Sequence, residues 1–352
     1  MLHRRLFSIG LCGLVTGCGA AASPSSAPGA PPRGTDALGG PGPGTVQPVT
    51  AAVANGDFDR FLDGVRAEAR RAGISPAVAN RALAGLRPNQ RVLELDRFQP
   101  EGPGMTWEEY RDRQVSPTRV ENGRRAFAEN RRLMESIGER FRVSPRAVAA
   151  IWGVETNYGT NTGGFGVVEA LATLAWDGRR SAYFRSELLA ALRVLDGGHI
   201  SPERMRGSWA GAMGQPQFMP SNFEKLAVDF DGDGRRDIWN SRADALGSIA
   251  HYLSRFGWRE GEPWGFEVLP PGPVERYEPD AKRPLRDWAR LGFRRLDGGP
   301  LPGGETEMGL VQPNRSSTGK VFLGGHNLRV IRRYNPPVNY GLAVGLLSDR
   351  LA

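Results

Sequence analysis

Ile151-Trp152-Gly153-Val154-Glu155-Thr156-Asn157-Tyr158-Gly159 brings an apolar run to its end on a single carboxylate. Just upstream, Ser144 is a residue type that caps helices and Pro145 suits the first helical position. The sequence therefore predicts a helix from there to between Gly153 and Thr156. Val148, Ile151, Trp152 and Glu155 share one face of that helix at i, i+3 and i+4 spacing. A carboxyl group on an apolar face loses hydration, which disfavours its charged form and raises its pKa. A general acid working near neutral pH needs that property, so Glu155 is the candidate catalytic acid. The competing reading of these nine residues is a salt-bridged structural carboxylate at the wet edge of a core helix.

Downstream, Gly207-Ser-Trp-Ala-Gly-Ala-Met-Gly-Gln-Pro-Gln-Phe-Met-Pro-Ser221 gathers small residues, amides and hydroxyls into a run that Gly and Pro keep from being one regular element. Such a composition suits a cleft wall where backbone approaches a ligand and a few amides orient it. It equally suits a tight helix-helix crossing.

Taken with Ala170-Leu-Ala-Thr-Leu174, Arg179-Arg-Ser-Ala-Tyr-Phe184, Val228-Asp-Phe-Asp-Gly-Asp-Gly234 and Arg333-Tyr-Asn335, these segments resemble the lytic murein transglycosylase B family. The motifs run in family order from about residue 57 to the C-terminus. The resemblance implies a mainly α (α+β) fold: a lysozyme-like helical core, an N-terminal helical domain and a small β-rich insertion. It implies cleavage of the β-1,4 bond between N-acetylmuramic acid and N-acetylglucosamine in peptidoglycan without water, leaving a 1,6-anhydromuramoyl end. One glutamate then suffices, acting first as acid and then as base toward the C6 hydroxyl of the substrate, where most glycosidases need two carboxylates. A hydrolytic dyad is the alternative within the enzyme class, with Glu169 and Asp177 as the nearby acids. A catalytically silent peptidoglycan-binding scaffold is the alternative outside it.

Matched position by position, the resemblance implies substrate-binding roles for Ser208, Gln217, Arg179, Arg180, Tyr183, Tyr110, Tyr252, Tyr334 and Tyr340. Gln215-Pro216 departs from the Tyr-Gly often found before Gln-Phe-Met-Pro in the family. Asp229-Phe-Asp-Gly-Asp-Gly-Arg235 is the front half of an EF-hand loop, with Asn240 where the twelfth-position Glu would be. An enlarged loop of the family's kind would take Asp229, Asp231, Asp233, the carbonyl of Arg235 and Asp244 as ligands, with Asp237 as a spare carboxylate. The ion expected there is a structural Ca²⁺ or Na⁺, against the alternative of an Asp/Gly-rich turn holding none. No cofactor is expected for catalysis.

Met1 to Arg5 is basic, Leu6 to Val15 is a short apolar stretch, and Val15-Thr-Gly-Cys18 reads as a lipoprotein signal with Cys18 acylated. The alternative is a secretory signal cleaved without lipid. Removing residues 1 to 17 takes Arg4 and Arg5 and no acid, so the formal charge of +8 falls by two. Gly19 is not the Asp associated with inner-membrane retention, which favours an outer-membrane lipoprotein facing the periplasm. Residues 19–55, rich in Ala, Pro, Gly and Ser, should form a flexible tether reaching about 35 Å.

The further domains expected are a helical one over 56–141, the lysozyme-like core with its EF-hand-like loop over 142–262, a small β-rich domain over 263–327, and a return to the core over 328–352. Within the first, Gly123 to Ile137 carries one helical periodicity. Cys12 and Cys18 are the only cysteines, so the mature chain has no disulfide. Four scattered histidines without cysteine partners argue against zinc. Acids are interspersed with the bases and no basic stripe stands out, which argues against nucleic acid. Expected partners are peptidoglycan glycan strands, the outer membrane through the lipid and, as a further candidate, the cell-wall synthesis machinery. Arg179 and Arg180 fit an acidic polymer, and equally a solvated arginine-rich surface.

Overall fold

From Ala51 to Thr156 the chain is a succession of helices: α1 (Ala51–Arg71), α2 (Pro76–Leu83), α3 (Gln90–Arg97), α4 (Trp107–Gln114), α5 (Pro117–Glu129), α6 (Arg131–Phe141) and α7 (Pro145–Thr156). The computed structural model describes residues 51–98, 105–278, 281–316 and 318–351, of which 51–56 by backbone alone. The signal, Cys18 and most of the tether lie outside the described residues. Helix α1 begins at Ala51, inside the stretch whose composition suggested tether. The periodicity from Gly123 to Ile137 is broken at Asn130, between α5 and α6. Its side-chain amide donates to the Ala126 carbonyl at 2.7 Å, the local competition with helix backbone that makes Asn a helix breaker.

A two-stranded ladder, β1 (Phe165–Gly166) with β2 (Arg206–Gly207), brackets α8 (Val167–Asp177) and α9 (Ser181–Asp196). Helices α10 (Pro220–Leu226) and α11 (Arg242–Arg255) follow, then strands β3 (Gly265–Leu269) and β4 (Lys282–Pro284), helix α12 (Leu285–Arg290), and strands β5 (Arg294–Arg295), β6 (Glu307–Val311) and β7 (Val321–Gly324). The last five strands form one antiparallel sheet in the order β4-β6-β7-β3-β5. It has its own apolar cluster around Trp288, Phe293 and Met308. Helices α13 (His326–Tyr334) and α14 (Val338–Asp349) bring the chain back onto the helical body.

The helical body holds two apolar clusters. Phe58, Leu62 and Val65 of α1 pack with Leu171 of α8 and Leu188 and Leu192 of α9. Met134 and Ile137 of α6 pack with Val148, Ile151 and Trp152 of α7, Ile249 of α11 and Leu342 and Val344 of α14. Neither cluster is confined to one stretch of sequence, because α1–α3 join the first and α4–α6 the second.

Helix α7 is the centre of the second cluster, enclosed by α5, α6, α11 and α14. It starts at Ser144-Pro145 as the sequence predicts, although the Ser144 side chain makes no capping bond. One apolar stripe was expected; instead every residue from Ala147 to Gly153 is buried, the pattern of a helix surrounded on all sides. Burial of each large side chain here is worth about 1.5–3 kcal/mol, so the helix carrying Glu155 is rigidly held.

Candidate active site

Helix α7 stops one residue after Glu155. Asn157, Tyr158 and Gly159 all have positive φ (48°, 60° and 82°), a left-handed corner that two non-glycine residues adopt only under tertiary constraint. The constraint is visible. Tyr158 folds back so that its ring meets Trp152 edge-on at 5.5 Å and its hydroxyl donates to the Arg119 carbonyl at 3.1 Å. Gly153 makes room for it, since a Cβ there would lie 2.5 Å from the Tyr158 ring.

Glu155 is half-buried at this corner, and burial pushes its carboxyl up to about 7, opposed by one hydrogen bond. That bond comes from the buried Tyr340 of α14, whose hydroxyl donates to Glu155 Oε1 at 2.7 Å. Among the described residues no arginine or lysine pairs with the carboxylate, which is not the arrangement of a salt-bridged structural acid. Glu169 accepts instead from Asn89 at 3.0 Å, and Asp177 pairs with Arg97 at 2.8 Å.

The tyrosines divide into two groups. Tyr334 lies beside Tyr252, with ring centroids 4.6 Å apart, and burial, with the negative charge of Glu155 adding to it, pushes the hydroxyls of both Tyr334 and Tyr340 above the usual phenol range. Tyr334 donates to the Pro216 carbonyl and Tyr252 to the Arg333 carbonyl, each at 2.5 Å. Tyr110 of α4 is half-buried against the same cluster. Tyr183 on α9 is 43% exposed and meets Phe184 edge-on.

Residues 207–219 form a folded loop and not a helix crossing: Met213 bridges to both Gly207 and Phe218 before α10 begins. Gly163 lets this loop approach, because a Cβ there would lie 2.2 Å from the Gly207 carbonyl oxygen. Ser208 is buried, and its Oγ accepts from the Ala210 and Ala212 amides at 3.3 and 3.0 Å, so it pins the loop's own turn. Gln217 has a left-handed backbone (φ 52°) and donates its amide to the Thr162 and Gly214 carbonyls at 3.1 and 2.8 Å. Those two bonds fix the amide's orientation and leave Gln217 Oε1 buried and, among the described residues, without a hydrogen-bond partner.

Gln215, noticed in the sequence only as a departure from the family pattern, is the strut between this loop and α7. Its Oε1 accepts from Trp152 Nε1 at 3.0 Å and its Nε2 donates to the Trp239 carbonyl at 3.1 Å. Its backbone carbonyl accepts from Thr156 Oγ1 at 3.1 Å. Glu155 thus sits between two residues, Trp152 and Thr156, that Gln215 holds.

Arg179 and Arg180 converge on Asp96 at the end of α3, a buried acid the sequence did not single out. Arg180 also lies 4.9 Å from the Phe184 ring centre. Their first task is to clamp α3 to the start of α9, and Arg179 remains half exposed.

Among the described residues, Asp229, Asp231, Asp233 and Asp244 bring carboxylate oxygens within 4.8 Å of one another. Asp229 accepts from the Gly232, Asp233 and Gly234 amides, which curls the loop around it. Asp244 is fully buried at the start of α11 and accepts from the Phe230 and Asp237 amides, each at 2.7 Å. Four hard oxygen donors at this spacing fit a Ca²⁺-sized cation. The spare, Asp237, is not in the cluster; its carboxylate caps the Trp239 and Asn240 amides.

A mainly helical body that sets a burial-raised carboxyl, Glu155, against a buried tyrosine hydroxyl is of the lysozyme-like class. Residues 57–349 match the Transglycosylase SLT domain family, and the chain belongs to that family. It is similar to membrane-bound lytic murein transglycosylase B of Escherichia coli (strain K12), 32% identical over 254 residues that cover 72% of this chain and 69% of that protein. It also resembles SltB3 from Pseudomonas aeruginosa, solved in complex with NAG-NAM-pentapeptide, at 43% identity and TM-score 0.79 over 83% of this chain and 79% of that one. Escherichia coli Slt35 in complex with calcium matches at 29% identity and TM-score 0.70 over 84% and 93%. As a family member the protein is a lytic transglycosylase of peptidoglycan. No described helix is long and apolar enough to cross a membrane.

Proposed function

We propose that Glu155 alone performs both proton transfers in a non-hydrolytic cleavage of the bond between N-acetylmuramic acid and N-acetylglucosamine. The observation that carries this reading is a carboxyl held at about 7 by burial, with Tyr340 as its hydrogen-bond donor and, among the described residues, no second carboxylate acting on it. Near neutral pH a large fraction of Glu155 is protonated. Because Oε1 accepts from Tyr340, the acidic proton belongs on Oε2, which donates it to the glycosidic oxygen as the bond to C1 breaks. The resulting carboxylate is stabilised by the Tyr340 hydroxyl. It then takes the proton of the muramoyl C6 hydroxyl while that oxygen closes on C1, giving the 1,6-anhydro ring. Gln217 Oε1, an unpartnered acceptor, supports a role in orienting a substrate hydroxyl or amide N–H.

Of the other matched positions, Tyr110, Tyr252 and Tyr334 are proposed as cleft residues around Glu155, Ser208 as the residue that shapes the loop, and Tyr183, Arg179 and Arg180 as substrate contacts at the start of α9. The acidic loop is proposed to hold a structural Ca²⁺ through Asp229, Asp231, Asp233, Asp244 and the Arg235 carbonyl; calcium bound to Escherichia coli Slt35 supports this. Arg235 pairs with Asp233 at 3.0 Å, so the ion would displace a guanidinium. Outer-membrane anchoring through Cys18 in the periplasm is proposed on the basic start, apolar stretch and Val15-Thr-Gly-Cys18, with the membrane-bound relative in support.

The test is digestion of purified peptidoglycan with the protein and its Glu155→Gln variant, with the released muropeptides weighed by mass spectrometry. Products lighter by one water than reducing-end muropeptides, absent with the variant, are expected. Hydrated reducing ends would instead make the protein a muramidase, and no products from folded protein would make it a binding scaffold.

A further inference from the structure

A cavity of about 250 Å³ borders the left-handed corner that ends α7 and reaches Arg242 at the start of α11. It shares Asn122, Asn157 and Thr160 with the cavity of about 420 Å³ that has Glu155 among its walls, so the two adjoin. The reaction proposed above makes no use of the smaller one. Its back wall is rigid: Trp152 and Tyr158 line it, and their rings meet edge-on at 5.5 Å.

The corner and α5 present oriented amides to this space. Asn157 Nδ2 donates to Thr160 Oγ1 at 3.1 Å, and Thr160 Oγ1 donates to the Asn157 carbonyl at 2.9 Å, which leaves Asn157 Oδ1 as an acceptor without a partner among the described residues. Asn130 Nδ2 is taken by the Ala126 carbonyl and leaves its Oδ1, whereas Asn122 Oδ1 is taken by Arg125 and leaves its Nδ2 as a donor. Glu129 and Arg242 are exposed, line the same cavity, and make neither hydrogen bond nor ion pair among the described residues. The unused groups are thus acceptors and donors intermixed, and the charges on the rim, Arg125 and Arg242 against Glu129, are of both signs. An apolar ligand finds little to bind there. A ligand dense in hydroxyls and amides, each able to donate and accept, matches it.

We propose that this cavity is a distal glycan subsite, which holds one further sugar residue of the strand whose scissile bond lies at Glu155. The inference rests on the glycan-cleaving reading above and adds to it a preference for longer strands. A strand passing Glu155 meets the shared residues Asn122, Asn157 and Thr160 first and the smaller cavity next. The strained backbone at Asn157 and Tyr158 then has a use: it turns the end of the acid's own helix into the wall between two sugar positions. An acidic stem peptide fits less well, because Glu129 would face its carboxylates in a small space.

The experiment measures dissociation constants of the Glu155→Gln variant for a ladder of peptide-free glycan strands, each longer than the last by one repeat, alone and combined with Glu129→Ala, Arg242→Ala or Asn157→Gly. The first two side chains are exposed and unbonded, and glycine adopts the left-handed backbone of Asn157 freely, so the fold is kept. Affinity should step up about tenfold at the length that first reaches the cavity, the gain of a few added hydrogen bonds. Each further substitution should cut that step to about threefold or less and leave shorter strands within about twofold of the parent. No step anywhere on the ladder, or a step of the same size in all three combinations, overturns the proposal. A step that appears only on strands carrying stem peptides overturns it as well and gives the cavity to the peptide. Anhydro ends released by the wild type from the same strands are counted alongside; their absence would be a failure of the catalytic reading, on which the binding ladder does not depend.

Discussion

The Tyr340 hydroxyl donates to Glu155 Oε1 across 2.7 Å from a helix 185 residues further along the chain. Two opposed forces thus act on the acid: burial raises its pKa and this bond lowers it. Catalysis as general acid requires the protonated form, so activity should hold below about pH 7 and decline as pH rises through it.

Tyr340→Phe removes the force that favours the carboxylate. A hydrogen bond to a charged group is worth about 1.5 kcal/mol or more, and 1.36 kcal/mol corresponds to one pH unit. The alkaline limb of the kcat/KM profile should move upward by about one pH unit. The maximal rate should fall roughly tenfold, because the carboxylate formed after the first proton transfer loses its donor. An alkaline limb that stays in place would mean that Tyr340 does not control the titrating group.

Glu155→Gln should make the fold more stable while abolishing activity. The folded-state pKa, about 7, lies above the reference value of 4.5, so the wild type is unpenalised below about pH 4.5 and loses stability as pH rises through about 7. The variant does not titrate there and can keep the bond from Tyr340. Its advantage should be near zero at pH 4.5 and reach roughly 1–3 kcal/mol at pH 8, discounted for partial exposure. Thermal melts at the two pH values read this directly, and an equal advantage at both would show that Glu155 is not the buried acid described.

The start of α7 was legible because its signals, Ser144 and Pro145, are local, and the desolvated position of Glu155 near its end because the spacing from the apolar residues before it is local as well. The break at Asn130 was missed where apolar periodicity continued through a residue whose side chain competes with the backbone. What the sequence could not supply were partners distant along the chain. Asp96 reads as a surface acid between Leu95 and Arg97, and only the fold sets it beneath Arg179 and Arg180. Gln215 looked like a deviation from a motif because Trp152 and Trp239, its two side-chain partners, come together only in the folded chain.

Gln215→Ala should test that strut. It leaves the Trp152 indole N–H buried without an acceptor and the Trp239 carbonyl without its side-chain donor, at about 1–3 kcal/mol for each group left unsatisfied. Urea denaturation should show a loss of roughly 2–4 kcal/mol. Residual activity at 25 °C should show kcat reduced more than KM is raised, since Trp152 and Thr156 flank the acid and not the sugar. A stability loss with unchanged kcat would reduce Gln215 to a packing residue.

Calcium should stabilise the chain through the acidic loop and leave the chemistry alone. The four carboxylates are preassembled by backbone amides, and among the described residues the one ion pair made to them is that of Arg235 with Asp233. A divalent cation at 100 times its dissociation constant adds about 2.7 kcal/mol to the folded state. Millimolar Ca²⁺ should therefore raise the melting temperature by several degrees over the chelator-treated protein, with initial rates at 25 °C within about twofold. Asp229→Ala removes one carboxylate and the acceptor for the Gly232, Asp233 and Gly234 amides, so it should lower the melting temperature and abolish the calcium increment. An increment that survives in this variant would put the ion elsewhere, and a chelator-sensitive rate would give the loop a direct part in shaping the cleft, by way of Trp239 and Gln215.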